Sequence, residues 1–239
     1  MGLAEDRESD EPIPPHRHDS AQLIHAAQGV MTVETEDGVW VVPPERAVWV
    51  PAFTDHSIRM TGHVELRTIY LEARLRPIAD DTCCVVQVSP LLHASIMRAI
   101  DFPQPYAPDG PEARIVEVIL DEMREAKVAP LHLPMPRDAR ASRVAEAFRI
   151  DSGDRRPARE WARIAGASER TLERIFRDEV GLTFGKWQQQ ARLLRALEIL
   201  ASGESVTSVA LEVGFATPSA FIAMFKKAMG TTPTRYFRA

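Results

Sequence analysis

Four side chains in the first quarter of the chain have the types and spacing to hold a metal ion. His16, His18, Gln22 and His56 offer three imidazoles and one amide, and imidazole nitrogen suits Zn2+, Ni2+ and Fe2+ alike. On one strand, positions 16, 18 and 22 share parity and would face the same way. Two readings stay open: a divalent transition metal bound by these four, or a polar lining for a small-molecule pocket. Trp40, Trp49 and Tyr70 join them as candidate pocket walls, since such pockets are mostly apolar with a few convergent polar groups. His25 falls out of phase with the group, and His63, His93 and His132 show no ligand spacing. Those four are expected to be structural or at the surface.

A different chemistry lies near the other end. Ser168 has the form of a helix N-cap, and the helix after it would bury Leu172, Ile175 and Phe176 at spacings of three and four. Its opposite face then carries Arg170, Thr171, Glu173, Arg174 and Arg177. Arginine can pair bidentately with guanine O6 and N7, and glutamate can accept from cytosine N4. Thr217 caps a second such helix, with Pro218 in the first-turn position that tolerates it. Its outward positions include Ser219, Ile222 and Ala223, followed by Lys226 and Lys227. The lysines, with Arg192, suit phosphate, which sets register, and the second helix suits backbone and thymine-methyl contacts.

These side chains need particular elements to present them. A short helix ending at Gly166 precedes the Ser168 helix, and another ending near Gly214 precedes the Thr217 helix. Glycine supplies the positive φ of a tight turn, so each pair has the form of a helix-turn-helix. Residues 183–201 form one connecting helix with Trp187, Ala191, Leu194, Leu197 and Leu200 on its apolar side. At ~1.5 Å per residue it spans roughly 28 Å, enough to set two recognition helices about one DNA turn apart. Up to residue 88 the pattern is of short strands: 30–33 and 39–42 around a turn at 36–38, then 48–50, 56–60, 64–71 and 83–88. Evenly spaced short strands predict a small barrel or sandwich. Residues 91–100 and 112–125 switch to helical spacing, and Pro130, Pro134 and Pro136 predict a stiff connector.

Charge follows this division. The chain of 239 residues carries a formal charge of −5, but residues 140–239 hold 17 Lys and Arg against 11 Asp and Glu. An acidic part beside a basic part fits a sensing domain fused to a nucleic-acid domain. The overall pI of about 5.8 argues against a sequence-blind architectural DNA protein. Absence of a nucleophile elbow, a P-loop or an HExxH segment argues against an enzyme built on those motifs. With no long apolar run and an acidic start, the protein is expected in the cytoplasm, away from membranes. Cys83 and Cys84, adjacent in sequence, are expected to stay reduced.

Residues ~140–239 resemble the DNA-binding domain of the AraC/XylS family of transcription regulators. The resemblance rests on "ARIAGASERTLERIFRDEVGLTFGKW" and "SVTSVALEVGFATPSAFIAMFKKAMGTTPTRYFR", including Gly214, Phe215, Phe221, Phe225, Lys226, Gly230, Pro233 and Tyr236. It implies that Arg170, Glu173 and Arg174 read bases. His16, His18, Gln22 and Gly29, then Pro51 and His56, resemble the two cupin motifs, with Gln22 where that motif has Glu and Phe53 where it has Gly. The expected fold is α+β: a cupin-like β-barrel (1–88) for effector sensing, a helical dimerisation and linker region (89–136), and an all-α double helix-turn-helix domain (137–239). The implied partners are promoter DNA, a small-molecule or metal effector, a second copy of the chain and, for an activator, RNA polymerase.

Overall fold

The computed structural model describes residues 2–9, 11–78, 82–103 and 105–237. They divide into two units, residues 1–36 with 40–132, and residues 37–39 with 133–239. The first unit is an antiparallel sheet with two helices packed on it. Its strands are β1 (Gly2–Arg7), β2 (Ile13–His16), β3 (Ala21–Thr35), the greater part of β4 (Gly38–Val42, from Trp40 on), β5 (Arg46–Val50), β6 (His56–Leu71), β7 (Cys84–Gln87) and β8 (Val128–Ala129). They run in the order β1-β6-β3-β5-β7-β8, with β2 also on β6 and β4 also on β3.

The long β3–β6 pair organises this sheet. Its register slips between Ala26 and Gln28 and again between Gln28 and Val30. Gly29 sits at this bulge with φ +74, and a Cβ there would stand 2.3 Å from the His63 carbonyl oxygen. Only glycine meets both demands, the left-handed backbone and the close approach. Gly62, at φ 75, lets the strands expected at 56–60 and 64–71 continue as the single β6. At its start, β3 is buried on both faces, with Ala21 through Ala26 all inside, so alternation is lost there.

The two faces of the sheet hold different residues. Ala21, Leu23, Trp49, Ile69, Leu71 and Val86 pack against α1 (Pro90–Ile100) and α2 (Pro111–Glu125) through Leu92, Ile96, Ile119, Leu120 and Met123. Ile119, Leu120 and Met123 of the α2 stripe are thus buried on its own sheet, with Ile115 and Val116 partly buried beside them. At ~25 cal/mol per Å2 of apolar area, each of these large side chains contributes roughly 1.5–3 kcal/mol. The proline-bearing connector starts inside the fold: β8 pairs β7, the Val41 N–H donates to the Leu131 carbonyl (3.0 Å), and Trp40 stacks on His132 with centroids 4.3 Å apart. Neither Cys83 nor Cys84 is in a disulfide.

The second unit is helical: α3 (Ala139–Ile150), α4 (Ala158–Ala165), α5 (Glu169–Ile175), α6 (Phe184–Ala201), α7 (Val206–Glu212), α8 (Pro218–Met229) and α9 (Pro233–Tyr236). A π-helical turn at Phe176–Val180 prolongs α5. Phe148, Trp161, Phe176, Phe184 and Trp187 form one aromatic core around α4 and α5. Phe215, Phe221, Phe225 and Tyr236 form a second around α8. The far end of α6 is buried nearly all round, from Ala196 to Leu200, as befits a helix with neighbours on every side. Among the described residues, no helix is long and apolar enough to cross a membrane.

Candidate functional site

The second unit holds two helix-turn-helix units of matching construction. In the first, α4 ends at Gly166 in the left-handed region (φ 66, ψ 35), whose N–H is bonded back to the carbonyls of Ala162 and Arg163. Nothing lies within 4 Å of a Cβ built there, so the glycine serves backbone geometry alone. The Ser168 side chain then accepts from the Thr171 N–H at 3.2 Å, and such a cap stabilises a helix by ~1 kcal/mol. In the second, Ser205 caps α7, Gly214 (φ 84) makes the turn, and Thr217 accepts from the Ala220 N–H at 3.3 Å. Leu172 and Ile175 face inward on α5, as do Phe221 and Phe225 on α8.

The loop between α3 and α4 ties the two units together. Arg192 donates from Nε to the Ser152 carbonyl (3.1 Å) and from Nη2 to the Asp154 carbonyl (2.9 Å), with its guanidinium over the Phe148 ring. Arg155 donates to the Phe215 carbonyl in the second turn at 2.8 Å. Burial lowers the Arg192 pKa from its ordinary value, with Arg155 adding to the effect. Arg192, expected at phosphate, is therefore a half-buried clamp. Glu173, expected at bases, is also half-buried, and its Oε2 accepts from the Phe184 N–H at the start of α6 (3.3 Å). A carboxylate at a helix N-terminus answers both a bare donor and the helix dipole. Arg170, Arg174 and Arg177 remain exposed, and Arg174 makes an i,i+4 pair with Asp178 at 3.7 Å. Thr171 is half-buried and bonded to Ser168, while Ser219, Ala223, Lys226 and Lys227 are exposed and Ile222 is half-buried.

In the first unit the structure brings three histidines together. His16 and His56 are register partners across β2 and β6, and His18 returns to them around the bend before β3. Ring centroids stand 4.3 Å apart for His16–His56, 4.8 Å for His16–His18 and 5.6 Å for His18–His56. One ring nitrogen from each lies within 4.8 Å of the others. The group is assembled by strand pairing plus a bend, not by the common strand that parity predicted. Gln22 joins it, its Oε1 3.1 Å from His56 Nε2, and Tyr70 presents its ring edge-on to His18 at 5.2 Å.

Backbone carbonyls orient two of these rings. His16 Nδ1 lies 2.7 Å from the Pro14 oxygen and His56 Nδ1 lies 2.9 Å from the Thr54 oxygen. A neutral ring must then carry its proton on Nδ1 and its lone pair on Nε2. Such carbonyl contacts are the usual outer support of a metal-binding histidine. His18 Nε2 is buried with no hydrogen-bond partner, and a buried bare nitrogen calls for an explanation. Burial lowers the His18 and His56 pKa values, and neighbouring histidines lower them further, which favours the neutral form a metal needs. The residues fit a divalent transition metal.

Other expected pocket residues lie elsewhere. Trp49 is paired in register with Leu23 and belongs to the core under α1 and α2. Trp40 is buried on His132. His25, out of phase as expected, points to the helical side, where its Nδ1 donates to the Arg46 carbonyl (2.8 Å) and its Nε2 lies 3.0 Å from His93 Nδ1. The His25–His93 pair is a contact that spacing could not reveal, since it joins a strand to a helix 68 residues on.

Residues 161–239 match the family model of a helix-turn-helix domain, and residues 3–100 match that of an AraC-like ligand binding domain. The HTH-type transcriptional regulator NimR of Escherichia coli (strain K12) is 34% identical over 223 residues, covering 93% of this chain and 81% of NimR. The HTH-type transcriptional regulator RipA of Corynebacterium glutamicum is 38% identical over 104 residues, or 44% of this chain and 31% of RipA. ToxT from Vibrio cholerae, a solved structure, aligns with 100% of this chain and 97% of its own at 10% identity and a TM-score of 0.43. The chain belongs to the AraC family of HTH-type transcriptional regulators, with an AraC-like ligand-binding domain ahead of a helix-turn-helix DNA-binding domain.

Proposed function

We propose that this regulator reads promoter DNA mainly through α5, and that the state of its His16–His18–His56 group sets its affinity for that DNA. The observation that carries the first part is the contrast between the two recognition helices. Exposed Arg170, Arg174 and Arg177 on and just after α5 can pair with base edges, whereas α8 offers Ser219, Ile222 and Ala223. Ser168 and Thr217 present helix N-termini to phosphate, and Lys226 and Lys227 add charge that positions without specifying. With Glu173 and Arg192 turned inward, base reading falls to the arginines.

The second part rests on the fit of three imidazoles, two of them held by backbone carbonyls, to a divalent metal, with Gln22 and Tyr70 beside them. Metal or ligand binding in the sensor couples to DNA binding, and the coupling is reciprocal. The protein acts as a homodimer in the cytoplasm, as paired half-sites favour, contacts RNA polymerase when it activates, and catalyses no reaction. Footprinting of DNA upstream of its own gene tests this reading. A protected site that Arg170→Ala and Arg174→Ala erase, and that Zn2+ or chelator strengthens or weakens, is expected. Protection that survives both substitutions would move base reading off α5.

A further inference from the structure

The charge of the histidine group carries the reading one step further. Its three ring nitrogens are the whole of the cluster: among the described residues, no carboxylate or thiolate joins His16, His18 and His56 within the 4.8 Å that encloses them. A histidine ligand is neutral, and the adjacent Gln22 amide is neutral too. Exposed Asp19 and Asp55 act on His18 and His56 only from outside the cluster, so a divalent ion held here would keep most of its double charge beside the buried His56 and Gln22, and such a charge is costly. Three histidine donors leave a further coordination position for which the Gln22 oxygen and an exogenous ligand compete, the pattern of sites that take an outside ligand. His16 and His18 are half-buried, while His56 and Gln22 are buried.

The structure sets the Gln22 Oε1 toward His56 Nε2 at 3.1 Å, and turning the amide by half a rotation would present its NH2 instead. With the His56 Nδ1 proton committed to the Thr54 carbonyl, His56 Nε2 carries a lone pair, and Gln22 can bond it only through its NH2 group. That bond occupies the electrons a metal would use. Turning the amide back frees Nε2 and offers the Gln22 oxygen to the ion instead. Gln22 therefore competes for His56 without adding negative charge.

We infer that the His16–His18–His56 group takes a divalent transition metal together with a small anion, so that the effector of this domain is an anionic molecule, such as a carboxylate, that completes the metal's coordination. This rests on the metal reading above. The effector's negative charge supplies what the protein's own neutral donors lack, and metal and anion then bind with mutual strengthening.

Cobalt(II) tests this because its visible absorption reports ligand number and type. The intact chain, freed of metal by dialysis against a chelator, is titrated with CoCl2 and then with sodium acetate, sodium azide or inorganic phosphate. One Co2+ per chain is expected, lost in His16→Ala and His18→Ala, with bands that shift on adding at least one of the anions. Gln22→Glu, which puts a carboxylate beside the ion, should raise Co2+ affinity about tenfold and weaken the anion response by a similar factor. A Co2+ complex whose spectrum ignores all three anions would overturn the inference and leave the metal reading standing. So would an anion response as strong in Gln22→Glu as in the parent. No Co2+ uptake by the folded chain would remove both.

Discussion

The backbone of Gly214 lies so close to Gly153 that a Cβ built on Gly214 would stand 2.8 Å from the Gly153 carbonyl oxygen. The approach is reciprocal in effect, since a Cβ on Gly153 would meet the Glu212 carbonyl oxygen at 2.2 Å. One contact thus seats the α3–α4 loop on the turn of the second helix-turn-helix. Gly214→Ala meets both a left-handed backbone and a backbone clash, and should destabilise the helical unit by about 2–3 kcal/mol. Gly166→Ala meets only the backbone conformation, with open space around its Cβ, and should cost about 1 kcal/mol. Urea unfolding of the two variants ranks them; equal losses would show that the close approach is not what constrains Gly214.

The inward turn of Arg192 separates fold from DNA contact. Arg192→Ala leaves the Ser152 and Asp154 carbonyls without their donor and should lower stability by about 2 kcal/mol. The slope of log K against log salt for DNA should then stay as in the parent. Lys226→Ala and Lys227→Ala should do the reverse, leaving stability unchanged and each reducing that slope by about 1. A salt slope that falls in Arg192→Ala, with no loss of stability, would return this arginine to the phosphate backbone.

Acid should weaken the sensor domain through His25. Burial, opposed by its bond to the Arg46 carbonyl, lowers its pKa from 6.5 to about 4. The folded state keeps His25 neutral while the unfolded state takes up a proton, so stability is whole above about pH 6.5 and falls as pH drops toward 4. The gap corresponds to roughly 3 kcal/mol. Thermal unfolding of the parent should lose several degrees between pH 7 and pH 5, and His25→Gln should show a flatter profile. A parallel profile in the variant would assign the acid sensitivity to other groups.

Much of this was legible in the residues, and the remainder follows a physical pattern. Caps and turns are local, so Ser168, Gly166, Gly214 and Thr217 announced both helix-turn-helix units. The 36–38 turn likewise announced the β3–β4 hairpin. What escaped depends on distant partners. β1 and β2 are short strands laid on β6, and the first half of β3 is buried on both faces, so neither shows alternation. Glu173 looks like an outward residue until the N-terminus of α6 is placed beside it. Trp49 has the composition of a pocket wall, but pairing with Leu23 turns it to the helical side. The histidine group was visible as a set, yet its assembly needed the β2–β6 register.

Phe53 carries a strain that a substitution can relieve. It holds φ +63 while its N–H donates to the His18 carbonyl at 2.7 Å, and the residue is 64% exposed. A left-handed backbone costs a bulky residue about 1–2 kcal/mol, and little buried area offsets it. Glycine adds ~0.5–1 kcal/mol of unfolded-state entropy, so Phe53→Gly should come out more stable by roughly 0.5–1 kcal/mol. Destabilisation of similar size would mean that the ring packs in solution.

Sequence reading by α5 is what the arginine substitutions isolate. Fluorescence anisotropy of the intact chain against upstream DNA, at several salt concentrations and with random DNA as competitor, tests it directly when the parent is run beside Arg170→Ala and Arg174→Ala. Saturable binding that survives competition is expected in the parent. Each arginine variant should lose about 1–3 kcal/mol of specific affinity while keeping the weaker, salt-sensitive binding to random DNA. Undiminished preference for the upstream site in both variants would contradict it.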